Sequence, residues 1–400
     1  MLHTIRLRNL LSFGPGNGEI GLGPLNVLIG PNASGKSNLI EVLSLLRAAP
    51  KDLQAPIREG GGVSEWLWRG TKETPTAEIN VTIDNPDGTQ PLRYRLEFTM
   101  TSQRFELVDE AVENERPHHG QVKPYFYYRY QDGHPVLNVR KELAEPTGTE
   151  RGRVERSLQR EDIDPSQSVL SQRKDPDQYP ELTFINNLFS RFALFREWNL
   201  GRYTPPRLPQ KADLPSDFLL EDASNLGLVL NELEHRPGVK RLLTERLKAF
   251  CDSIEDFTIR IHGGTVQLFL HEAGLHQPIP ATRLSDGTLR YLCLLSILCH
   301  PDPPKVICIE EPELGLHTDV LATVADLLIE ASGRTQLFVT THSDVLVSAL
   351  TNTPESVLVC ERTDAGTSMR RLEKKPLEEW LEKYSLGELW RMGEIGGTRW

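Results

Sequence analysis

The stretch that decides the fold lies near the amino terminus and reads Gly30-Pro31-Asn32-Ala33-Ser34-Gly35-Lys36-Ser37. It matches the pattern G-x-x-x-x-G-K-S/T of a phosphate-binding loop. The apolar run Leu25 to Ile29 before it predicts a buried strand, and the apolar-rich run Ser37 to Leu46 after it predicts a largely buried helix. Because a glycine-rich loop between a strand and a helix directs backbone N–H groups and the helix dipole at phosphates, the stretch predicts a nucleotide site.

The residues of this loop have separate expected roles. Lys36 is expected to reach the β- and γ-phosphates of a nucleoside triphosphate, and the Ser37 hydroxyl is expected to ligate Mg²⁺. The other loop residues, together with Asn38 in the first turn of the helix, are candidate nucleotide ligands.

The composition limits the class of protein. A chain of 400 residues with 38% hydrophobic and 25% charged residues predicts a soluble globular protein with two or three lobes. The net charge of −11 argues against a generally basic surface that coats nucleic acid, and it leaves a local basic groove open. The five cysteines show no C-x-x-C spacing, and no apolar run reaches membrane-spanning length, so the expected location is the cytoplasm with no membrane partner.

The first third of the chain, after the phosphate loop, alternates between polar and apolar residues and predicts an antiparallel β lobe. The aromatic cluster from Tyr125 to Tyr130, which includes Arg129, allows two interpretations. It is typical of a tyrosine-rich β-hairpin, which we favour, and of a groove for single-stranded nucleic acid.

The middle of the chain is less regular. Residues 141–177 are polar with charges of alternating sign, which predicts a solvated surface segment. Leu182 to Trp198 shows helical periodicity, the proline-rich run Gly201 to Pro215 predicts a connector, and Val239 to Phe250 predicts a helix with a basic outer face.

The last third supplies an acidic pair. The apolar run Val306 to Ile309 predicts a buried strand that ends in Glu310 and Glu311. Carboxylates at such a strand end are typical partners of a phosphate loop: Glu310 is expected to help hold Mg²⁺ through water, and Glu311 is the candidate general base for the attacking water.

Two further groups complete the candidate site. His342 follows the predicted strand Gln336 to Thr341, and its neutral imidazole can bond a γ-phosphate oxygen or the attacking water. Ser285, Asp286 and Gly287 precede an apolar helix and predict a second anion site at its amino terminus. One nucleotide does not need two such helix ends from one chain.

Taken in order, these segments resemble those of ABC-type ATPases. Gly30 to Ser37 resembles Walker A, Leu284 to Thr288 (LSDGT) the signature, Glu310 to Glu313 (EEPE) Walker B with the start of the D-loop, and Thr341 to Ser343 (THS) the switch histidine. Together with Leu386 to Trp390 (LGELW), they are most similar to the RecF/SMC/OLD-like branch and its stand-alone bacterial ATPases. The resemblance implies an α/β fold: an ABC-ATPase head with a mixed central sheet, an antiparallel β lobe and an inserted helical lobe.

The resemblance also implies an arrangement of the two anion sites. Two protomers are expected to clamp two ATP molecules head to tail, so that Ser285 and Gly287 of one chain touch the γ-phosphate held by Lys36 of the other. Gln172 stands where the family has its Q-loop glutamine, which binds the nucleotide and Mg²⁺.

The chain departs from the family pattern at two positions. Glu310 replaces the common Asp, which is expected to keep Mg²⁺ binding and slow turnover. Thr318 stands where related chains have Pro, which puts only the local D-loop geometry in question.

The resemblance divides the chain into three segments. They are an N-terminal ATPase lobe over 1–135, an inserted, mainly helical or surface segment over 136–255, and a C-terminal ATPase lobe over 256–400.

The leading functional hypothesis is an ATP-hydrolysing switch in DNA repair or anti-phage defence, with DNA or an effector protein as its load. The first alternative is a regulatory subunit that controls a separate nuclease or toxin without binding DNA itself. A transporter subunit fits less well, because Ser37 and Ser285 are very far apart for that class. Val357 to Asp364 resembles the opening of a Toprim nuclease domain, but the 36 residues after it contain no Asp, so we expect no nuclease within this sequence.

Overall fold

The computed structural model describes residues 1–86, 88–131, 134–140, 153–157, 163–164 and 166–398. Its strands are, in chain order, β1 (Leu2–Arg8), β2 (Glu19–Gly21), β3 (Leu25–Ile29), β4 (Ala77–Ile83), β5 (Leu92–Thr101), β6 (Arg104–Asn114), β7 (Phe126–Gln131), β8 (His134–Arg140), β9 (Arg153–Ser157), β10 (Ala193–Phe195), β11 (Gln210–Lys211), β12 (Ile254–His262), β13 (Thr265–Glu272), β14 (Ile279–Pro280), β15 (Val306–Glu310), β16 (Gln336–Thr340), β17 (Val357–Thr363) and β18 (Gly366–Arg371).

The α-helices are, in the same order, α1 (Lys36–Ala48), α2 (Ala55–Glu59), α3 (Val63–Trp66), α4 (Val169–Gln172), α5 (Pro180–Phe189), α6 (Leu226–Glu234), α7 (Pro237–Phe250), α8 (Asp286–Leu298), α9 (Leu321–Ser332), α10 (Asp344–Ala349), α11 (Lys374–Leu381) and α12 (Leu386–Met392). No helix among the described residues is both long enough and apolar enough to cross a membrane.

The chain forms two compact units. The first unit contains Met1–Gly23, Gly30–Phe192 and Val359–Arg371, and the second contains Pro24–Ile29, Ala193–Leu358 and Leu372–Trp400. The three-segment division expected from the sequence stays a prediction. Of the predicted surface segment, residues 141–152, 158–162 and 165 lie outside the described residues.

The first unit is built on an antiparallel sheet in the order β2-β1-β4-β5-β6-β7-β8-β9. The alternation of buried and half-buried residues along β5 shows why this segment forms an antiparallel strand. Tyr94 and Phe98 point to the buried face with their apolar neighbours, and the charged residues between them are half-buried. An antiparallel strand with one face on the core and one face toward solvent has this period of two. The predicted antiparallel lobe is confirmed.

The aromatic cluster belongs to this sheet. β7 pairs with β8 as an antiparallel hairpin, and Tyr127, Tyr128 and Tyr130 are buried. Arg129 lies 4.5 Å from the centre of the Phe126 ring. The predicted tyrosine-rich hairpin is confirmed, and these three tyrosines pack in the interior of the unit.

The second unit is built on parallel strands in the order β10-β15-β16-β3, with the start of β17 next to β3. β3 and β16 are buried at every position, as expected for parallel strands covered on both faces. Glu310 at the end of β15 is in register with Thr340, and Thr340 is in register with Leu28 of β3. The carboxyl ends of three neighbouring strands are therefore level.

The helix predicted over Leu182 to Trp198 is wrong beyond Phe189. Ala193–Phe195 forms β10, which pairs with β15. A short apolar run does not distinguish a buried strand from a buried helix. Here the pairing with β15 makes the segment a strand. The register places Phe195 beside Ile309, so the next residue, Arg196, comes level with Glu310.

The helix predicted over Val239 to Phe250 is α7, and two of its basic residues form ion pairs with other elements of the chain. The Lys240 ammonium lies 2.5 Å from a Glu234 oxygen, and Arg246 lies 3.2 Å from Glu330. These ion pairs agree with the prediction that the basic face of α7 is a solvated helix surface.

Candidate functional site

The phosphate loop in the first unit has a backbone that only glycine can follow at two points. Gly30 has φ of +148° and Gly35 has φ of +97°. A Cβ atom at Gly30 would lie 2.2 Å from the Cys360 carbonyl oxygen, and one at Gly35 would lie 2.3 Å from Thr367 Oγ1. The two glycines of the motif are thus required by conformation and by close approach of β17 and β18.

Lys36 supports the loop from within. Its side-chain Nζ donates to the carbonyl oxygen of Gly30 at 2.8 Å and to that of Pro31 at 3.0 Å. The residue is only 6% exposed. It begins α1, whose N-cap is Gly35, so no N-cap side chain covers the first-turn N–H groups. This end of α1 has the form of an anion site.

A hydroxyl network that the sequence analysis missed fixes the outside of the loop. Asn38 Nδ2 donates to Ser12 Oγ at 2.6 Å, and Ser12 Oγ lies 2.7 Å from Thr367 Oγ1. Thr367 Oγ1 also bonds the Ser34 carbonyl oxygen at 3.0 Å. Asn38, a candidate nucleotide ligand, therefore has a positioning contact, and no local motif marks Ser12 or Thr367.

In the second unit, Glu310 is held by two side chains that follow β10. Arg196 Nε donates to Glu310 Oε1 at 2.7 Å, and Trp198 Nε1 donates to the Glu310 carbonyl oxygen at 2.9 Å. The Glu310 carboxylate is mostly buried, with 15% of the side chain exposed. The Arg196 guanidinium thus compensates the negative charge of the Glu310 carboxylate.

Glu311 has an unusual backbone. Its φ is +48°, a left-handed conformation that is rare for a residue other than glycine. Its N–H donates to the Thr340 carbonyl oxygen at 3.0 Å, and Arg290 Nη1 donates to the Glu311 carbonyl oxygen at 3.1 Å. Strained backbone of this kind is found at functional sites, where neighbouring contacts hold it.

His342 lies beside this carboxylate. Its Nε2 is 3.7 Å from Glu311 Oε1, and both side chains are well exposed. Glu313 fixes the segment that carries the histidine, because Glu313 Oε1 accepts from Thr341 Oγ1 at 2.7 Å and from the His342 N–H at 2.8 Å. The structure therefore brings the predicted base and the predicted switch histidine together.

The signature segment opens α8. Ser285 is the N-cap, and its Oγ accepts from the Thr288 N–H at 3.0 Å. A Cβ atom at Gly287 would lie 2.5 Å from the Gly315 carbonyl oxygen, so the first turn of α8 packs directly on the D-loop. Glycine is required here by close approach.

A buried arginine outside every motif supports the signature. Arg207 is 7% exposed and lies in the segment predicted as a connector, where Pro205–Arg207 forms a turn of 3-10 helix. It donates to the carbonyl oxygen of Leu200 at 2.8 Å, to that of Leu284, and to the Asp286 carboxylate.

Gln172 makes only local contacts among those described for its side chain. Its Oε1 accepts from the Asp164 N–H at 2.7 Å, and its Nε2 donates to the carbonyl oxygens of Asp164 and Gln167, both at 3.1 Å. Its expected role toward nucleotide and Mg²⁺ stays a prediction.

The segment that carries Gln172 is capped by a buried carboxylate of the first unit. Glu110 accepts from Tyr94 Oη and the Val169 N–H, each at 2.8 Å, and from Ser168 Oγ at 2.5 Å. Burial raises the pKa of Glu110 from its ordinary 4.5 to about 7, although the three donors act in the opposite direction.

The chemistry of the side chains fits a Mg²⁺–nucleotide. The Ser37 hydroxyl and the Glu310 carboxylate are oxygen donors, which are the ligands that Mg²⁺ takes. Lys36 and the amino terminus of α1 suit phosphate.

Solved structures show the fold class. The chain is similar to an SMC head bound to the C-terminal winged-helix domain of ScpA, with a TM-score of 0.55 at 13% identity over 94% of this chain and 99% of that one. It is equally similar to an SMC head with an extended coiled coil bound to the C-terminal domain of ScpA from Pyrococcus furiosus, with a TM-score of 0.55 at 12% identity over 96% and 98%. The predicted ABC-ATPase head is confirmed at the level of fold.

One similar protein is named for nucleotide hydrolysis. The chain is 24% identical over 366 residues to an ATP/GTP phosphatase of Helicobacter pylori (strain ATCC 700392 / 26695), covering 88% of this chain and 87% of the relative.

The family model described as "AAA domain, putative AbiEii toxin, Type IV TA system" matches residues 25–348, from the strand before the phosphate loop to the helix after His342. The chain therefore belongs to this AAA-domain family.

Proposed function

We propose that this protein is an ATP-hydrolysing molecular switch of the RecF/SMC-like branch, in which two copies close on two ATP molecules. ATP binding closes the dimer, and slow hydrolysis to ADP and phosphate opens it. The ATP/GTP phosphatase relative supports the hydrolytic step.

One observation carries the proposal. The chain has two well-formed helix amino termini with anion-binding chemistry, α1 behind Lys36 and α8 behind Ser285, each beginning a helix of 13 residues. A single triphosphate needs one of them. A head-to-tail dimer uses both, because Ser285 and Gly287 of one copy then face the γ-phosphate held by Lys36 of the other.

The roles of the catalytic residues follow from their surroundings. Glu311 is the general base for the attacking water, since its carboxylate is exposed and its backbone is held by Arg290. His342 contacts the γ-phosphate or the water from the same side, and its position is set by Glu313. The phosphate loop binds and orients the triphosphate.

Mg²⁺ is the expected metal. Ser37 and Glu310 would hold it, with Gln172 as a further candidate, and when bound it would neutralise charge on the phosphate oxygens.

The load is DNA or an effector protein, in DNA repair or anti-phage defence. The similar SMC head is bound to a winged-helix domain of ScpA, which supports a protein partner. The cytoplasm is the proposed location.

A second candidate is a regulatory ATPase that controls a separate nuclease or toxin and does not bind DNA itself. The family description, which names a toxin and a type IV toxin–antitoxin system, favours it. These two candidate functions are distinguished by identifying which partner stays bound to the closed dimer.

The central experiment is the Glu311→Gln variant. Loss of the base is expected to lower turnover by roughly 10²- to 10⁴-fold while nucleotide binding persists, so that ATP traps a dimer. Size-exclusion chromatography with light scattering, with and without ATP, measures the dimer.

Glu245→Gln is the matched control, because Glu245 is an exposed carboxylate on α7. It is expected to behave as wild type. A Glu311→Gln protein that stays monomeric with ATP, while wild type dimerises, contradicts the clamp.

The DNA hypothesis has its own test. Binding to DNA of the ATP-trapped dimer, measured by filter retention at several salt concentrations, is expected to weaken as salt rises, since phosphate contacts release counterions. Retention that does not depend on salt, or no retention at any salt, favours the regulatory-subunit alternative.

A further inference from the structure

Two side chains hold the backbone of the acidic pair from one side. Trp198 Nε1 donates to the Glu310 carbonyl oxygen at 2.9 Å, and Arg290 Nη1 donates to the Glu311 carbonyl oxygen at 3.1 Å. The Arg290 guanidinium lies 5.0 Å from the centre of the Trp198 ring, within cation–π range. The two donors therefore lie against each other, and we name the pair the Trp198–Arg290 clamp.

The clamp acts on the position where the backbone is strained. Glu311 has φ of +48°, and a non-glycine residue keeps such a conformation only when its surroundings impose it. Arg290 bonds the carbonyl oxygen of Glu311, and Thr340 bonds its N–H. The direction of the Glu311 carboxylate thus depends on both contacts.

Arg290 also belongs to the signature helix. It lies about one turn after Gly287 on α8, and Gly287 packs against the Gly315 carbonyl oxygen of the D-loop. α8 therefore contacts the segment from Glu311 to Gly315 at two points. A displacement of its amino terminus moves the support of Glu311, because a packed, buried helix moves as a unit.

We propose that the Trp198–Arg290 clamp couples the signature end of α8 to the position of Glu311, so that dimer closure sets the catalytic carboxylate for hydrolysis. Trp198 and Arg290 are positioning residues and touch neither ATP nor water in this scheme. The inference rests on the proposed ATP-closed dimer.

The decisive variants are Arg290→Met, which removes the donor and the charge, and Trp198→Phe, which keeps an aromatic ring and removes the N–H. Arg290→Met is expected to lower turnover by roughly 10²-fold, the cost of a displaced catalytic group. Trp198→Phe is expected to lower it about tenfold, the value of one hydrogen bond to a functional backbone group. Arg290→Lys, which keeps one donor, is expected to restore part of the loss.

Arg246→Met is the matched control. Arg246 lies on α7, is partly buried and pairs with Glu330, outside the Glu310–Gly315 segment. Its turnover is expected to match that of wild type.

Two readouts separate coupling from a general structural role. The affinity for ATP is expected to stay within about twofold of wild type in the clamp variants, and ATP is expected to trap the Glu311→Gln, Arg290→Met double variant as a dimer. In wild type, turnover per chain is expected to rise with protein concentration as dimers form. In Arg290→Met, the dimer fraction is expected to rise in the same way while turnover stays low.

The outcomes are distinct. Full turnover in both clamp variants overturns the proposal, and so does loss of the ATP-trapped dimer in the double variant when Glu311→Gln alone dimerises. A Glu311→Gln protein that never dimerises overturns the proposed function and the coupling with it. Trp198→Phe keeps the test valid if Arg290→Met does not fold.

Discussion

The phosphate loop and the catalytic–signature region are held in different ways. Lys36 bonds carbonyl groups only five and six residues away, and glycine conformation shapes the loop at Gly30 and Gly35. From outside the motif, Thr367 adds one contact to the Ser34 carbonyl oxygen. Glu310, in contrast, bonds Arg196 across 114 residues, and Asp286 bonds Arg207 across 79. The charged group of the phosphate loop is thus held by its own short segment, and the carboxylates of the other region are held by distant side chains.

This difference explains why motifs describe the two regions unequally. A phosphate loop carries much of its geometry in eight consecutive residues, so the pattern and the structure nearly coincide. The carboxylates and the signature are the groups proposed for the chemistry, and their directions depend on Arg196, Trp198, Arg207 and Arg290. Damage to the loop should therefore remove nucleotide binding, and damage to the supports should spare it.

The largest expected effect is that of Lys36→Ala. Loss of the ammonium group removes a charged partner of the phosphates and is expected to weaken nucleotide binding on the order of 10³-fold, about 4 kcal/mol. Isothermal titration calorimetry measures the affinity, and Lys51→Ala, an exposed lysine of the first unit, is the control. Intact ATPase activity in Lys36→Ala would show that the assigned site is wrong.

Arg207→Met tests the long-range support. The substitution leaves the Leu200 and Leu284 carbonyl oxygens without their charged donor and is expected to lower the free energy of unfolding by about 3 kcal/mol. The affinity for ATP is expected to be unchanged, and the ATP-trapped dimer is expected to weaken. Chemical denaturation and light scattering measure the two effects.

Two substitutions sharpen this result. Arg241→Met replaces an exposed arginine of α7 and is expected to have no effect. Asp286→Asn is expected to cost less than about 1 kcal/mol, because the Asp286 side chain is 69% exposed and exposed ion pairs contribute little. An equal loss in Asp286→Asn and Arg207→Met would mean that the ion pair, and not the two carbonyl contacts, holds the signature.

A further expected effect, smaller than those of Lys36→Ala and Arg207→Met, concerns pH. Burial raises the pKa of Glu110 to about 7, so the folded protein holds this proton more tightly than the unfolded chain. The stability contribution is complete below pH 4.5 and is lost as the pH rises toward 7. We expect the Glu110 contribution to the free energy of unfolding to fall by about 2 kcal/mol between roughly pH 5 and pH 8.

Denaturation curves of wild type and Glu110→Gln across this range isolate the contribution. The variant is expected to lose this part of the pH dependence, whereas Glu106→Gln, an exposed carboxylate on the same strand, is expected to keep it. Identical pH profiles in wild type and Glu110→Gln would show that Glu110 titrates equally in both states.

The sequence predicted the elements with strong local patterns and failed where packing decides. The strand before Gly30, the helix after Lys36, α8 and the strand ending in Glu310 lie where expected, because each combines an apolar run with a motif. β10 was predicted as helix, since three apolar residues contain no reliable period. Arg207 lay in a predicted connector, and its burial follows from partners far along the chain.

The sequence by itself determined which groups are available for chemistry: a phosphate-loop pattern, a carboxylate pair, a histidine after a strand, and a second helix end suited to an anion. Each depends on residue types in a short window, where backbone geometry follows from neighbours. The tertiary structure decided how those groups are positioned and oriented. Register places Arg196 level with Glu310, and packing of α8 brings Arg290 to the Glu311 carbonyl oxygen. Such contacts join residues that are distant in the chain, so only the folded sheet and its helices could show them.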